Sequence, residues 1–129
     1  MTPAQRSRAM KAVKLSGGPL EKRMQAELRR SGLKFATNCK GLPGTPDIVF
    51  RKQRVAVFVD GDFWHGWRLP SWEHKLTDFW RKKLRANRSR DQRNFRRLRA
   101  ADWNVVRLWE HQVLSDVSRC VDRITSFLR

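Results

Sequence analysis

Pro46-Asp47-Ile48-Val49-Phe50-Arg51-Lys52-Gln53-Arg54-Val55-Ala56-Val57-Phe58-Val59-Asp60 is the stretch on which the fold turns. Two apolar runs rich in β-branched residues, 48–50 and 55–59, flank the charged tetrapeptide 51–54, a pattern that predicts a β-hairpin. With Lys52 and Gln53 as the two turn residues, Asp47 lies opposite Phe58. Side chains alternate along a strand, so Asp47, Phe58 and Asp60 then share one face, and two carboxylates converge at the open end of the hairpin. A longer turn would shift that register, so the placement is conditional on this turn.

On the N-terminal side, Pro19 can occupy the first turn of a helix, and Leu20, Met24, Glu27 and Leu28 recur at helical spacing until Gly32 stops it. Glu21 falls in the first turn, where the helix dipole favours a carboxylate; that alone accounts for it. Before Gly17-Gly18 the chain forms a basic arm, residues 1–16, containing Arg6 and Arg8. On the C-terminal side, Gly61 to Glu73 reads as a Gly-, Trp- and Pro-rich loop. A long basic helix is expected from about Thr77 to Ala101, with Leu76, Phe79, Leu84, Asn87, Asp91, Phe95 and Leu98 along one stripe. Asn87 and Asp91 are polar members of that stripe, and buried polar groups are costly unless used or paired. Trp103 to Trp109 reads as a strand, and Val113, Val117, Cys120, Ile124 and Leu128 mark one closing helix. The order predicts an α/β fold, a mixed central sheet flanked by helices, as a single domain over 1–129 without repeats.

The charge balance narrows the partner. In 129 residues, 29 Lys and Arg stand against 12 Asp and Glu, a formal net charge of +17. Such a surface attracts polyanions and is the footprint of nucleic-acid binding, although a ribosomal or membrane-surface protein can share it. Six Trp and seven Phe supply flat rings suited to stacking on bases, or to filling a core. Two cysteines without a C-x-x-C pair argue against a disulfide framework and a cysteine-rich zinc site. The first residues lack a signal-peptide core and no apolar run is long enough to span a bilayer, so the expected setting is cytoplasmic.

The chemistry concentrates in Leu42-Pro43-Gly44-Thr45-Pro46-Asp47 and Phe58-Val59-Asp60-Gly61-Asp62-Phe63-Trp64-His65-Gly66. Mg²⁺ takes hard oxygen ligands and keeps several waters, so one or two carboxylates suffice beside substrate phosphates. A nearby His relays protons at neutral pH. Each residue also has a plainer reading. Asp47 could cap a turn, and Asp60 could be an ordinary loop acid. His65 could be a loop histidine, Asp91 could pair with Arg88, Arg90 or Arg93, and Trp80 could be core.

These stretches resemble the very short patch repair (Vsr) endonuclease family. Pro43-Gly44-Thr45-Pro46-Asp47-Ile48-Val49 and Asp60-Gly61-Asp62-Phe63-Trp64-His65-Gly66 are similar to its two signature stretches. Arg6-Ser7-Arg8-Ala9-Met10, Glu21-Lys22-Arg23, Phe79-Trp80, Asn87, Asp91 and Trp103 to Glu110 follow in the family's order. The resemblance implies a restriction-endonuclease-like fold of the PD-(D/E)xK type. It implies Asp47 as the central Mg²⁺ ligand with the Val59 carbonyl, and His65 as general acid/base. Glu21 and Asp91 orient water and the histidine, and Asp60 is an added candidate ligand. Phe63, Trp64 and Trp80 wedge into double-stranded DNA beside a mismatch, with Asn87, Arg6 and Arg8 also on DNA. The implied reaction nicks one strand 5′ to the T of a T·G mismatch, by a protein expected to act as a monomer with repair-protein partners.

The departures are specific. Well-known members carry a structural zinc site where this chain has Asp62, Trp67, Leu69 and His111. Trp and Leu cannot ligate, so structural zinc is expected to be absent, with Trp67 and Leu69 packing in its place and Asp62 pairing with His111. Asp60 stands where other members have a His, which removes one proton carrier and adds an acid. Two other functions compete: a homing or mobile-element nuclease without a mismatch requirement, and a catalytically inert DNA-binding module; general RNA binding ranks behind both. Glu21, Asp47, His65 and Asp91 together weigh against the inert module, because carboxylates repel phosphates unless a cation intervenes.

Overall fold

The computed structural model describes residues 18–129. The basic arm, with Arg6 and Arg8, lies outside the described residues. Helix α1 spans Pro19–Arg30, with Pro19 in its first turn and Gly32, at φ 79°, just beyond its end. The strands β1 (Ala36–Thr37), β2 (Ile48–Phe50), β3 (Val55–Asp60) and β4 (Asn104–Trp109) form one sheet in that order. Between β3 and β4 come the short α2 (Leu69–Trp72), a 3₁₀ turn (Glu73–Lys75) and the long α3 (Asp78–Ala100); α4 (Glu110–Ser115) and α5 (Val117–Thr125) follow.

β1, β2 and β3 pair antiparallel and β4 joins β3 in parallel, so the sheet is mixed. A parallel neighbour needs a crossover, and α3 supplies it. Ile48 pairs with Val57 and Phe50 with Val55, which is the register set by Lys52 and Gln53 at the turn. All six residues of β3 are buried, because helices cover both faces. Val55, Val57 and Val59 pack with Val106 and Leu108 against Met24 and Leu28 of α1 and Cys120, Val121 and Ile124 of α5. Ala56 and Phe58 turn the other way, onto Phe95 and Leu98 of α3. The face that carries Phe58 and Asp60 is therefore the one that meets α3.

Three local expectations change. The apolar stripe of α3 starts at Leu84: Phe79, in the first turn capped by the Thr77 hydroxyl, is 66% exposed and meets the Trp80 ring. The single closing helix is two, broken at Asp116, whose carboxylate accepts from the Arg119 N–H and starts α5. The loop 61–73 contains α2, with Leu69 fully buried. Both cysteines are free, Cys39 half-buried and Cys120 buried. No helix among the described residues is long and apolar enough to cross a membrane.

Candidate active site

The strand ends build the site. A turn with Gly44 at φ 78° and Thr45 at φ 50° leads the chain through buried Pro46 into β2. The Thr45 N–H donates to the Leu42 carbonyl at 3.1 Å and closes that turn. Asp47 then sits one residue before β2, its N–H donating to the Val57 carbonyl at 3.0 Å. Beyond this point β3 has left β2 and keeps only β4 as its strand partner, and on the β2 side the Val59 N–H donates to Asp47 Oδ2 at 2.6 Å. A strand residue turns its N–H and C=O to the same edge, so the Val59 carbonyl also faces the side on which Asp47 lies.

The turn leaves little room for a side chain at Gly44. A Cβ there would lie 3.0 Å from a ring carbon of Phe58 and 3.2 Å from the Asn94 Cβ. Gly44→Ala is expected to destabilise the protein by roughly 1–3 kcal/mol through the positive φ and the overpacking. Urea unfolding at equilibrium checks this, and a midpoint equal to wild type would mean that the 42–45 turn yields freely.

Glu21 and Asp47 line one cavity of about 230 Å³, with Asp60, Trp64, His65, Asp91 and Asn94. The structure thus brings together all five residues singled out for catalysis. Burial pushes the Asp47 carboxyl from 3.8 up to about 9, against the pull of the Val59 N–H; the charge of Glu21 and a hydrogen bond with it raise it further. Two carboxyls share one desolvated place, which is the arrangement that a cation relieves. Among the described residues no three His, Cys, Asp or Glu side chains form a group that would hold a metal unaided. An open pair of oxygen donors fits Mg²⁺, which completes its shell with water and phosphate, better than it fits a closed structural metal.

His65 lies beside this pair in a separate set of contacts. Its Nδ1 is 2.7 Å from Asp91 Oδ2, and its Nε2 is 3.4 Å from Asp60 Oδ1. Asp91 Oδ2 also accepts from Arg107 at 2.9 Å, and Asp60 Oδ2 accepts from the Arg107 Nε at 2.8 Å. Asp91 Oδ2 accepts from the guanidinium and is an acceptor towards Nδ1 as well, so Nδ1 carries the proton, while Nε2 stands at the longer 3.4 Å from Asp60 Oδ1. Burial pushes the Asp60 carboxyl up from 3.8, and its neighbours His65 and Arg107 pull it back. Asp91 pairs with Arg107 of β4 instead of the arginines of its own helix.

The loop after β3 is held from below. The buried Asn87 amide, 5% exposed, donates to the Trp64 carbonyl at 3.1 Å. Trp64 is only 8% exposed, under Lys83 at 5.3 Å, and forms a wall of the cavity instead of projecting into solvent. Phe63 stacks on Trp72 at 5.6 Å and meets Trp80 edge-on at 6.0 Å; Trp80 in turn meets the exposed Phe79 at 5.3 Å. These four rings form a connected aromatic cluster next to the loop. Asp62 Oδ1 lies 2.9 Å from the His111 Nδ1, while Trp67 packs on Trp109 at 5.0 Å and on His111 at 4.6 Å.

A family model described as DNA mismatch endonuclease Vsr matches residues 1–71. The DNA mismatch endonuclease Vsr of Escherichia coli (strain K12) is 35% identical over 112 residues, covering 83% of this chain and 70% of that protein. The chain belongs to the Vsr family. The type II nicking enzyme V.XorIIP of Xanthomonas oryzae pv. oryzae is 37% identical over 130 residues, 99% of this chain and 95% of the relative. The type II nicking enzyme V.NmeDIP of Neisseria meningitidis serogroup C is 33% identical over 135 residues, 100% and 89% of the two chains. As a Vsr-family member, the chain is a DNA endonuclease.

Sequence reasoning missed Arg107 and Asn94 in this Vsr-family site. Arg107 pairs with Phe58 across the parallel strands and so shares its face. A lone Arg inside the apolar run Val105-Val106-Arg107-Leu108 was the available signal, but the register of β4 on β3 cannot be read across a long crossover. Trp72 joined the aromatic cluster unannounced because helix α2 was not foreseen, and Phe79 because it was expected on the buried stripe of α3.

Proposed function

We propose that this protein is a Mg²⁺-dependent endonuclease with a restriction-endonuclease-like fold. It nicks one strand of double-stranded DNA at T·G mismatches and so initiates very short patch repair. The observation that carries the reading is the convergence of the Glu21–Asp47 carboxyl pair and the Asp91-tethered His65 in one cavity beside an aromatic cluster. Asp47, with the Val59 carbonyl and Glu21 behind it, would hold Mg²⁺ in its oxygen-rich corner. Bound there, Mg²⁺ supplies charge stabilisation at the phosphate and lowers the pKa of its water.

The residues of the chain divide the remaining work. His65, held through its Nδ1–H at 2.7 Å, has in Nε2, with its longer 3.4 Å contact to Asp60, the nitrogen that would receive a proton from the attacking water. Asp91 fixes the tautomer that this requires. Phe63 and Trp80, and Trp64 once Lys83 moves off its ring, would meet the base stack at the weakened T·G pair, where unstacking costs least. The +17 charge draws in the phosphate backbone, to which Arg6 and Arg8 of the arm would contribute. The protein would work as a monomer in the bacterial cytoplasm, at the nucleoid when bound.

The deciding experiment compares matched and T·G duplexes, labelled on each strand, in Mg²⁺ and in EDTA. Nicking of the T strand at the mismatch, only with Mg²⁺, is the expected result. Equal cutting of the matched duplex would replace this reading by a mobile-element nuclease on the same scaffold.

We also infer that no structural zinc is used. Asp62 and His111 supply two donors, Trp67 and Leu69 occupy the remaining places as packing groups, and a structural zinc takes four donors. Metal analysis of the purified protein is expected to find less than stoichiometric zinc, and one zinc per chain would overturn the inference.

A further inference from the structure

Arg107 is placed for more than an ion pair. Its guanidinium lies 4.1 Å from the ring centre of Trp109 and 5.0 Å from that of Phe95, and its side chain is only 16% exposed. From there it donates to Asp60 Oδ2 at 2.8 Å and to Asp91 Oδ2 at 2.9 Å. His65 contacts the same two carboxylates, Nδ1 at 2.7 Å from Asp91 and Nε2 at 3.4 Å from Asp60. The four side chains close a ring in which each carboxylate touches both the guanidinium and the imidazole. They arrive from β3, the loop after it, α3 and β4, so the ring ties together four segments at the site.

Two buried carboxylates this near to one another repel unless a cation lies between them. A guanidinium is suited to that place. It is planar, always charged, and presents donors at fixed angles, so it sets the distance between its acceptors. An ammonium is a point charge on a flexible stem and can meet one carboxylate without fixing the other.

We propose that Arg107 is the positioning residue for His65: it holds Asp60 and Asp91 as fixed walls between which the imidazole is oriented, with Nδ1–H on Asp91. The effect on ring geometry stands by itself; the effect on nicking rests on the reading of His65 as the proton-transfer group.

The test uses the full chain with ¹⁵N-labelled histidines and two-bond ¹H–¹⁵N imidazole spectra at a single pH. The His65 signals are identified by their loss in His65→Gln. In wild type, His65 is expected as one ring form protonated at Nδ1. In Arg107→Met its nitrogen signals move or broaden, while those of His74 stay. Single-turnover nicking at saturating enzyme then falls on the order of a hundredfold, as displacement of a reacting group predicts, with little change in DNA affinity. Arg107→Lys does not restore either readout. Should Arg107→Met fail to fold, Asp60→Asn with Arg107→Met removes one of the opposed charges and is compared with Asp60→Asn alone, so that the difference in the His65 signals reads Arg107. Unmoved His65 signals in a folded variant overturn the proposal, whatever the rate does. Moved signals with an unchanged rate uphold the positioning role and overturn the chemical role of His65 instead.

Discussion

Asp47→Ala is expected to abolish Mg²⁺-dependent nicking while leaving duplex binding nearly intact. A catalytic metal contributes several kcal/mol of charge stabilisation, and each 1.36 kcal/mol is tenfold in rate, so the loss is roughly a thousandfold or more. Binding survives because affinity comes mainly from Lys and Arg on phosphates. Single-turnover cleavage beside a gel-shift titration separates the two quantities. Retained nicking in Mg²⁺ would remove Asp47 from the site.

The same residue sets a pH dependence in the protein without metal. With its carboxyl raised from 3.8 to about 9, the folded chain keeps a proton that the unfolded chain has already released between those values. Stability rises with pH only where the unfolded state binds more protons; here it binds fewer, so stability in EDTA falls as pH rises through that window. Asp47→Asn removes the titrating group and should flatten the decline. Thermal melts at several pH values in EDTA check this, and a wild-type curve as flat as that of Asp47→Asn would mean that Asp47 is charged and solvated in the folded protein.

The hairpin was legible because its evidence is local. A two-residue period, a charged tetrapeptide and a register fixed by Lys52 and Gln53 put Asp47 opposite Phe58, where the pairing of Ile48 with Val57 places it. The helical stripe likewise placed Asn87 and Asp91 inside, and both are buried. What was not legible depended on contacts between distant segments. The two-residue β1 carries no periodicity to read. Trp64, in a Gly-bounded loop, reads as an exposed aromatic, whereas the Asn87 amide on its carbonyl and the covering Lys83 help to make it a buried wall. Arg107 looks like an interruption of a strand until Asp60, His65 and Asp91 are seen around it.

His65→Ala is the second large effect, and it should differ in kind from the loss of Asp47. General acid–base catalysis contributes typically a hundredfold or more, so the single-turnover rate should fall by about that factor. Affinity for DNA should be kept, because His65 is only 18% exposed and contacts carboxylates inside the fold. The Glu21–Asp47 pair is untouched, so residual nicking should remain strictly dependent on Mg²⁺, whereas Asp47→Ala should leave none to test. Removal of the imidazole also leaves Asp60 and Asp91 with Arg107 as their shared cation, which keeps the network compensated and the fold intact. A rate equal to wild type would reduce His65 to a structural link between Asp60 and Asp91, and proton transfer would then have to pass directly to solvent.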